Sequence, residues 1–247
     1  MASPAPARFA RLHVECVGGV AGDMLLAALI DLGADVDALR RDLASLGQAG
    51  LTLEVDEASL DGERALRVRS LATDGAHHRS LADILAVIDG GDISPAARAR
   101  ARAIFEIMAV AEAVVHSGTT ETVHLHEVGA LDSIMDVVGI AAALDLLGNP
   151  RLTASPIPSG GGTVQTSHGE LAVPVPAVVE IATQHNVPLV DVPLRGETVT
   201  PTGIAVLAQA CDDFVSEVAS GAAAVGIGAG TRRFADRPNV VRVHGFK

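Results

Sequence analysis

The stretch "ARLHVECVGGVAGDMLLAALIDLG", residues 10–33, indicates the fold class. Residues 10–17 alternate apolar and polar side chains, a pattern typical of a β-strand. The glycine-rich segment 18–22 breaks this alternation, and residues 23–33 continue with the apolar spacing of a helix that ends at Gly33. A strand that turns through glycines into a helix is a common unit of proteins that pack helices against a sheet.

Strand-like and helix-like stretches alternate along the rest of the chain. Residues 51–72 predict two strands, and Ser94-Pro95 predicts the start of a long helix that ends near His116. After "TVTPTG" a further helix is predicted to about Phe214. We therefore expect an α/β fold, a sheet with flanking helices, with a mixed α+β arrangement as the alternative.

The ends and the middle of the chain suggest its organisation. Residues 1–8, "MASPAPAR", predict a disordered tail, and residues 9–247 predict the folded part. The region near 150–162 is rich in Pro and Gly, and it predicts a boundary between two lobes.

Composition argues against several classes of function. The formal net charge is -12, so the chain should repel nucleic acid and anionic membranes. There is no Trp or Tyr, and the five Phe cannot supply the stacking platforms of RNA-binding modules. No apolar run reaches the length of a membrane span, so we expect no membrane association.

Lysine and cysteine are almost absent, which narrows the chemistry further. The only lysine is Lys247, which argues against a P-loop and against a Schiff-base mechanism. Cys16 and Cys211 are far apart in sequence, so one chain offers no thiolate cluster. Two cysteines also make a disulfide framework improbable, and we expect a cytoplasmic protein.

Residues 123–136, "VHLHEVGALDSIMD", predict a metal site. In an extended segment His124 and His126 share a face, with Glu127 beside them. In the helix that follows, Asp132 and Asp136 lie four residues apart on one face. Imidazoles and carboxylates suit a borderline divalent ion such as Ni, Zn or Mn. The structural alternative is a pair of hydrogen-bonded core histidines followed by solvated aspartates.

Two other stretches could add metal ligands. His77 and His78 in "AHHRSL" precede a predicted helix start, and a polar loop that leads into the helix is the structural alternative. Asp23 in "GGVAGDM" begins a helix behind a glycine-rich turn, where it would accompany a phosphate only through a bridging cation. The structural alternative for Asp23 is stabilisation of its own helix dipole.

The segment "TVTPTG", residues 198–203, predicts a phosphate contact. Thr200 can cap the helix, and the free N–H groups near Gly203 together with the Thr202 hydroxyl could hold an anion. Arg232 in "GIGAGTRR" is a second candidate contact for the same anion. Each feature is also common in turns that bind nothing.

Taken in order, six landmarks make the chain similar to the LarC family of nickel insertion proteins. They are "GGVAGDM", "HHRSLADI", "VHLHEVGALDSIMDVVG", "SHGELAVPVPA", "TVTPTG" and "GAGTR", and they extend from about residue 11 almost to the end. The resemblance implies insertion of Ni²⁺ into pyridinium bisthiocarboxylate mononucleotide, which gives the nickel-pincer cofactor of lactate racemase. It also implies a CTP-dependent lyase, a cyclometallase, that uses Mg²⁺ or Mn²⁺ with the nucleotide.

The resemblance also concerns partners. It implies that this chain is the N-terminal half of the enzyme, and that CTP and its metal belong to a separately encoded C-terminal half. A homo-oligomer is a further expectation. Two other functions stay open from the residues alone: a metal-dependent phosphohydrolase, in which the same ligands activate water, and a non-catalytic scaffold that docks a partner.

Overall fold

The computed structural model describes residues 8–60, 62–70, 79–125, 129–166 and 169–247. The helices in these ranges are α1 (Gly22–Leu32), α2 (Val36–Ser45), α3 (Leu81–Gly90), α4 (Pro95–Val115), α5 (Leu131–Leu146), α6 (Pro176–His185) and α7 (Pro201–Ala210). The strands are β1 (Arg11–Cys16), β2 (Leu53–Leu60), β3 (Glu63–Ser70), β4 (Arg79–Ser80), β5 (His124–Leu125), β6 (Arg151–Ala154), β7 (Ile157–Gly161), β8 (Thr163–Thr166), β9 (Gly169–Ala172), β10 (Leu189–Arg195), β11 (Cys211–Phe214), β12 (Ala224–Ala229) and β13 (Val240–Phe246).

A seven-stranded mixed sheet forms the frame, in the order β11-β6-β1-β13-β12-β3-β2. Strands β11, β6 and β1 are parallel neighbours, as are β12 and β3. Strand β13 runs antiparallel to both of its neighbours, and β2 and β3 form an antiparallel pair. The predicted α/β class, a sheet with flanking helices, is confirmed.

Alternation along β1 decides which face of the sheet meets the helices. Leu12, Val14 and Cys16 belong to the main apolar core together with the helices, whereas Glu15 points to the other face. Helix α1 packs against β3, β12 and β13 and is apolar along most of its length. Helix α5 contacts α1, α2 and α4, and 11 of its 16 residues are buried because other elements surround it.

The helix after "TVTPTG" is shorter than predicted. Helix α7 ends at Ala210, and residues 211–214 form β11 at the edge of the main sheet. There, Cys211 lies beside Leu152 and Phe214 beside Ala154 of β6. The sequence prediction of a helix to about Phe214 is wrong because pairing with β6 outweighs the weak local preference of these residues for a helix.

Smaller sheets complete the chain. Strands β7 and β10 are parallel, whereas β8 with β9 and β4 with β5 form antiparallel pairs. The predicted boundary near 150–162 falls on β6 and β7, and the division into two lobes stays a prediction. Of the predicted tail, only Arg8 is among the described residues. Within the described ranges, no helix is both long and apolar enough to cross a bilayer.

Candidate functional site

A cleft of about 460 Å³ lies where the N-terminal ends of α1, α5 and α7 meet the end of β3. Its polar lining residues are Asp23, Arg69, Ser70, Asp132, Ser133, Asp136, Glu197, Thr200, Thr202 and Thr231. A recess of about 190 Å³ shares Asp23, Glu197, Thr200 and Thr231 with the cleft, and it adds Arg232 and Asn239. Carboxylates and hydrogen-bond donors therefore line one continuous depression.

The glycine-rich segment between β1 and α1 fixes α7 beside α1. The Val20 backbone N–H donates to the Thr198 carbonyl at 2.8 Å, and the Thr200 N–H donates to the Val20 carbonyl at 3.0 Å. Gly203 lies so close to this segment that a Cβ on it would be 2.6 Å from the Val20 carbonyl oxygen. Gly203 thus has a packing role, whereas the contact with phosphate predicted for it stays a prediction.

Gly22 brings α1 against α5 and α7. A Cβ on Gly22 would lie 2.6 Å from Asp136 Oδ2 and 2.8 Å from Thr202 Cγ2. Residues from three separate stretches of sequence therefore meet at this position without any intervening side chain. Only glycine allows the backbone of α1 to approach the floor of the cleft this closely.

Three helix N-termini point their partial positive charge towards the cleft. The N-cap residues of α1 and α5 are Ala21 and Ala130, whose side chains cannot accept a hydrogen bond from the N–H groups that follow. Helix α7 is capped by Thr200, whose hydroxyl accepts from the Gly203 N–H at 3.1 Å. Such N-termini attract anions, including carboxylates of the protein and phosphate groups of a ligand.

The carboxylate of Asp136 combines a buried oxygen, which has no hydrogen-bond partner in the described part of the chain, with a raised pKa. The residue as a whole is half-buried, but its Oδ1 is fully buried and has no hydrogen-bond partner among the described residues. Burial, followed by the negative charges of Asp23 and Asp132, raises the pKa of Asp136 well above its ordinary value. A hydrogen bond from the Asp23 backbone N–H acts in the opposite direction. A cation placed at this oxygen would remove the cost of the unpaired group.

The pKa of Asp23, at the start of α1, is raised for similar reasons. Burial raises the pKa of Asp23, and the charge of Asp132 adds to this effect. The backbone N–H of Met24, 2.8 Å from Asp23 Oδ1, and the charge of Arg67 counteract it. Asp132 is exposed at the mouth of the cleft, where its Oδ1 accepts from the Ser133 N–H at 2.8 Å.

The structure brings together most of the predicted residues that it describes. Five of them line the main cleft: Asp23, Asp132, Asp136, Thr200 and Thr202. Arg232 lines the adjoining recess, and Gly203 packs against the backbone of Val20 and Ala21. Their roles in binding stay predictions. Within the described residues, no three His, Cys, Asp or Glu side chains are close enough together to hold a metal ion.

The predicted histidine ligands lie mainly outside the described residues. His77, His78, His126 and Glu127 fall in segments that the structure does not describe, and for His124 it describes the backbone alone. That backbone pairs with Ser80 between β5 and β4, next to the pairing of Leu125 with Arg79. Residues 79–80, which follow His77 and His78 in sequence, therefore run beside residues 124–125, which precede His126.

Sequence reasoning missed several polar residues of the depression. Glu197, Thr231 and Asn239 line it, and Ser133 follows Asp132 at the start of α5. Glu197 lies directly before "TVTPTG", so that motif could have been extended by one residue, and Thr231 lies inside "GAGTR", where it could have been chosen together with Arg232. No signal in the sequence marked Asn239, which reaches the recess from the loop before β13.

Fold and cleft together define an α/β protein with an acidic cleft at the meeting point of three helix N-termini. The chain belongs to a family described as "Nickel insertion protein", whose sequence model matches residues 12–245. The family predicted from the six landmarks is thereby confirmed. No solved structure matches the chain.

Relatives that carry the description "Putative nickel insertion protein" cover nearly all of the chain. A protein of Geotalea uraniireducens is 42% identical over 234 residues, and one of Myxococcus xanthus is 43% identical over 244 residues. A protein of Rhodopirellula baltica is 42% identical over 233 residues. In each comparison 94% of this chain is matched, but only 58–60% of the relative. The chain therefore spans about 60% of the length of these relatives.

Proposed function

We propose that the cleft holds Ni²⁺ as cargo next to an anionic substrate and transfers it to sulfur ligands of that substrate. The observation that carries this proposal is the buried Oδ1 of Asp136, which has no hydrogen-bond partner among the described residues and feels the negative charges of Asp23 and Asp132. A divalent ion would neutralise this group of like charges, and membership of the nickel insertion family supports nickel as that ion.

Ligand chemistry supports transfer rather than storage. Carboxylate oxygens, with the imidazoles of His124 and His126 as predicted additional ligands, are harder than sulfur. A nickel ion held by such groups would leave for the thiocarboxylates of pyridinium bisthiocarboxylate mononucleotide. The nickel-pincer cofactor would result once a Ni–C bond also replaces a C–H bond of the pyridinium ring, with release of that proton.

The phosphate of the mononucleotide has matching donors in the same depression. The guanidinium of Arg232 and the Thr202 hydroxyl provide them. The anion would then occupy one side of the cleft and the metal the other, so each would screen the charge of its neighbour.

CTP and its Mg²⁺ or Mn²⁺ ion belong to a further part of the proposal. We infer that this chain acts as part of a CTP-dependent lyase together with a C-terminal LarC segment that holds the nucleotide. The additional length of the relatives is consistent with such a segment. The test is reconstitution, in which the chain receives nickel, CTP and the mononucleotide, with and without a C-terminal segment. Hydrolysis of generic phosphoesters instead of nickel transfer would favour the phosphohydrolase hypothesis.

Replacing Thr202 with valine should weaken binding of the mononucleotide by about tenfold or more, because a hydrogen bond to a charged group is lost. The fold should be retained, because valine has the shape of threonine and an apolar side chain is acceptable at the buried position of Thr202. Isothermal titration with the mononucleotide measures the effect. Thr183→Val on the exposed face of α6 is the matched control and should bind normally. Equal affinity of Thr202→Val and the unmodified protein would contradict the phosphate assignment.

A double variant tests the histidine part of the site. His124→Ala with His126→Ala should lower nickel affinity by about 10- to 100-fold, because two predicted imidazole ligands are removed. Equilibrium dialysis with Ni²⁺ provides the measurement, and His185→Ala, at the exposed end of α6, controls for loss of a surface histidine. If the double variant and the control bind nickel alike, these histidines are not ligands of the nickel site.

A further inference from the structure

Two histidines face each other across neighbouring strands, away from the cleft. His13 of β1 is directly opposite His244 of β13, and two residues further along Glu15 is opposite Arg242. Leu12 and Val14, on either side of His13 in β1, pack into the helix-covered core, so these four polar side chains share the other face of the sheet.

His13 offers a lone pair that nothing in the described chain uses. Its side chain is almost completely buried, with 3% of the residue exposed, and Nδ1 lies 2.9 Å from Thr153 Oγ1. The Thr153 hydroxyl donates to the Leu12 carbonyl at 3.4 Å and can accept from a protonated Nδ1. That tautomer leaves the lone pair on Nε2, which is buried and has no hydrogen-bond partner among the described residues. An orphaned buried acceptor of this kind is costly unless a ligand satisfies it.

His244 is oriented in a similar way by a carboxylate. Its Nε2 lies 3.1 Å from Glu15 Oε2, and donation of that N–H to Glu15 leaves the lone pair on Nδ1. Metal-binding histidines commonly donate their second ring N–H to a carboxylate or another acceptor, which fixes the ring. Both histidines of this pair therefore already have the supporting partner that a metal ligand needs.

The separation of the rings fits one shared ion. The ring centroids of His13 and His244 are 6.3 Å apart, and the ring planes are tilted by 52°. Imidazole nitrogens bind a transition metal at about 2.0–2.1 Å, which places the two centroids at most roughly 6.4 Å apart. The observed distance lies within this limit for a nearly linear arrangement, whereas a tetrahedral N–metal–N angle requires the centroids to approach to roughly 5.2 Å.

Local charge also permits a cation at this position. Arg242 is held by two carboxylates, with its Nη2 2.8 Å from Glu63 Oε2 and its Nη1 3.4 Å from Glu15 Oε2. The nearby Arg11 guanidinium lies over the ring of Phe246. Burial, followed by the charge of His244, lowers the pKa of His13, the charge of Glu15 raises it, and the charge of Arg11 lowers it further.

We propose that His13 Nε2 and His244 Nδ1 form a second site, separate from the cleft, for an exchangeable divalent transition-metal ion. Water molecules complete the coordination, because the site has two protein ligands. Glu15 and Thr153 are positioning residues that hold the two rings. Imidazole ligands favour nickel, copper or zinc over magnesium and calcium. The site does not depend on the function proposed for the cleft.

The test uses Ni²⁺ and the full chain in which His77, His78, His124 and His126 are all replaced with alanine, which removes the other predicted histidine ligands. Equilibrium dialysis should still find bound nickel in this background. His244→Gln should then weaken nickel binding at least tenfold, and Glu15→Gln should weaken it about tenfold through loss of ring orientation. His185→Gln, in the same background, should have no effect. X-ray absorption of the loaded background protein should show two imidazole ligands.

Several outcomes would overturn the site. Nickel affinity unchanged by both His244→Gln and Glu15→Gln would exclude the pair, and so would an equal loss with the His185→Gln control. Absence of imidazole ligands in the absorption spectrum would also exclude it, whatever the variants do. Because the side chains of Glu15 and His244 are partly exposed, we expect these variants to fold, and thermal unfolding checks this. Failure of this test leaves nickel transfer at the cleft unaffected, since that is measured with the mononucleotide.

Discussion

Replacing Asp136 with asparagine is expected to stabilise the fold and, at the same time, to lower nickel transfer by about 10- to 100-fold. The carboxylate is held in a buried position with one oxygen unpartnered and two other aspartates nearby. Such an arrangement opposes folding, and a cation explains why it would be retained. Asparagine has the same shape and can still accept from the Asp23 N–H, but it has no charge to offer to nickel.

The dependence of stability on pH should change with this variant. The pKa of Asp136 is raised in the folded chain, so the folded state keeps a proton that the unfolded chain has lost. From the ordinary pKa of about 4 upwards to the raised value, the free energy of unfolding therefore falls as the pH rises. Asparagine does not titrate, and the fall should be smaller in the variant. Asp23, whose pKa is also raised, should preserve part of it.

Chemical denaturation at pH 4 and pH 7 measures this difference. At pH 7 Asp136→Asn should be more stable by about 0.5–2 kcal/mol, the size of gain usual when an unfavourable native group is removed. At pH 4 the difference should be smaller. Asp191→Asn, an exposed carboxylate elsewhere, is the control and should change neither value.

Nickel itself supplies a second measurement. Saturating Ni²⁺ should raise the unfolding temperature of the unmodified protein, because a ligand of the native state stabilises it, and should raise that of Asp136→Asn much less. A variant that is destabilised at pH 7, or that transfers nickel at the normal rate, would show that Asp136 has another role.

The sequence predicted individual elements better than their assembly. Residues 10–33 were sufficient to predict β1 and α1, since alternation, glycines and helical spacing are local signals. The pair Ser94-Pro95 likewise marked the start of α4. By contrast, the four residues at 211–214 carry no local signal for a strand, and only their pairing with β6 makes them one.

The cleft was predictable as a set of motifs but not as a geometry. Asp23, Asp136 and Thr202 were each chosen from their own stretch of sequence. Their proximity results from three helices that meet through a glycine, over more than 100 residues of intervening chain. The burial that isolates one oxygen of Asp136 is likewise a property of the packed helices. No pattern of spacing within "DSIMD" contains that information.

Gly22→Ala is expected to disturb the point where α1, α5 and α7 meet. The added Cβ would lie 2.6 Å from Asp136 Oδ2 and 2.8 Å from both Asp136 Cβ and Thr202 Cγ2. The Cβ of Asp136 stays in place when its side chain rotates, so side-chain rotation alone cannot remove the overlap. Helices α5 and α7 must move away from α1, which should cost about 1–3 kcal/mol of stability.

Two comparison variants make the measurement specific. Gly90→Ala at the end of α3 adds a methyl group where nothing lies within 4 Å, and it should leave the unfolding temperature unchanged or slightly higher. Thr202→Ser removes the Cγ2 atom that the new methyl meets, so Gly22→Ala with Thr202→Ser should recover part of the lost stability. Thermal unfolding of the unmodified protein, Gly22→Ala, Gly90→Ala and the double variant measures these changes in stability.

Since the same movement separates Asp136 from Asp23, Gly22→Ala should also weaken nickel binding, whereas Gly90→Ala should not. Normal stability and normal nickel affinity in Gly22→Ala would mean that the close contact of α1 with α5 and α7 does not set the geometry of the cleft.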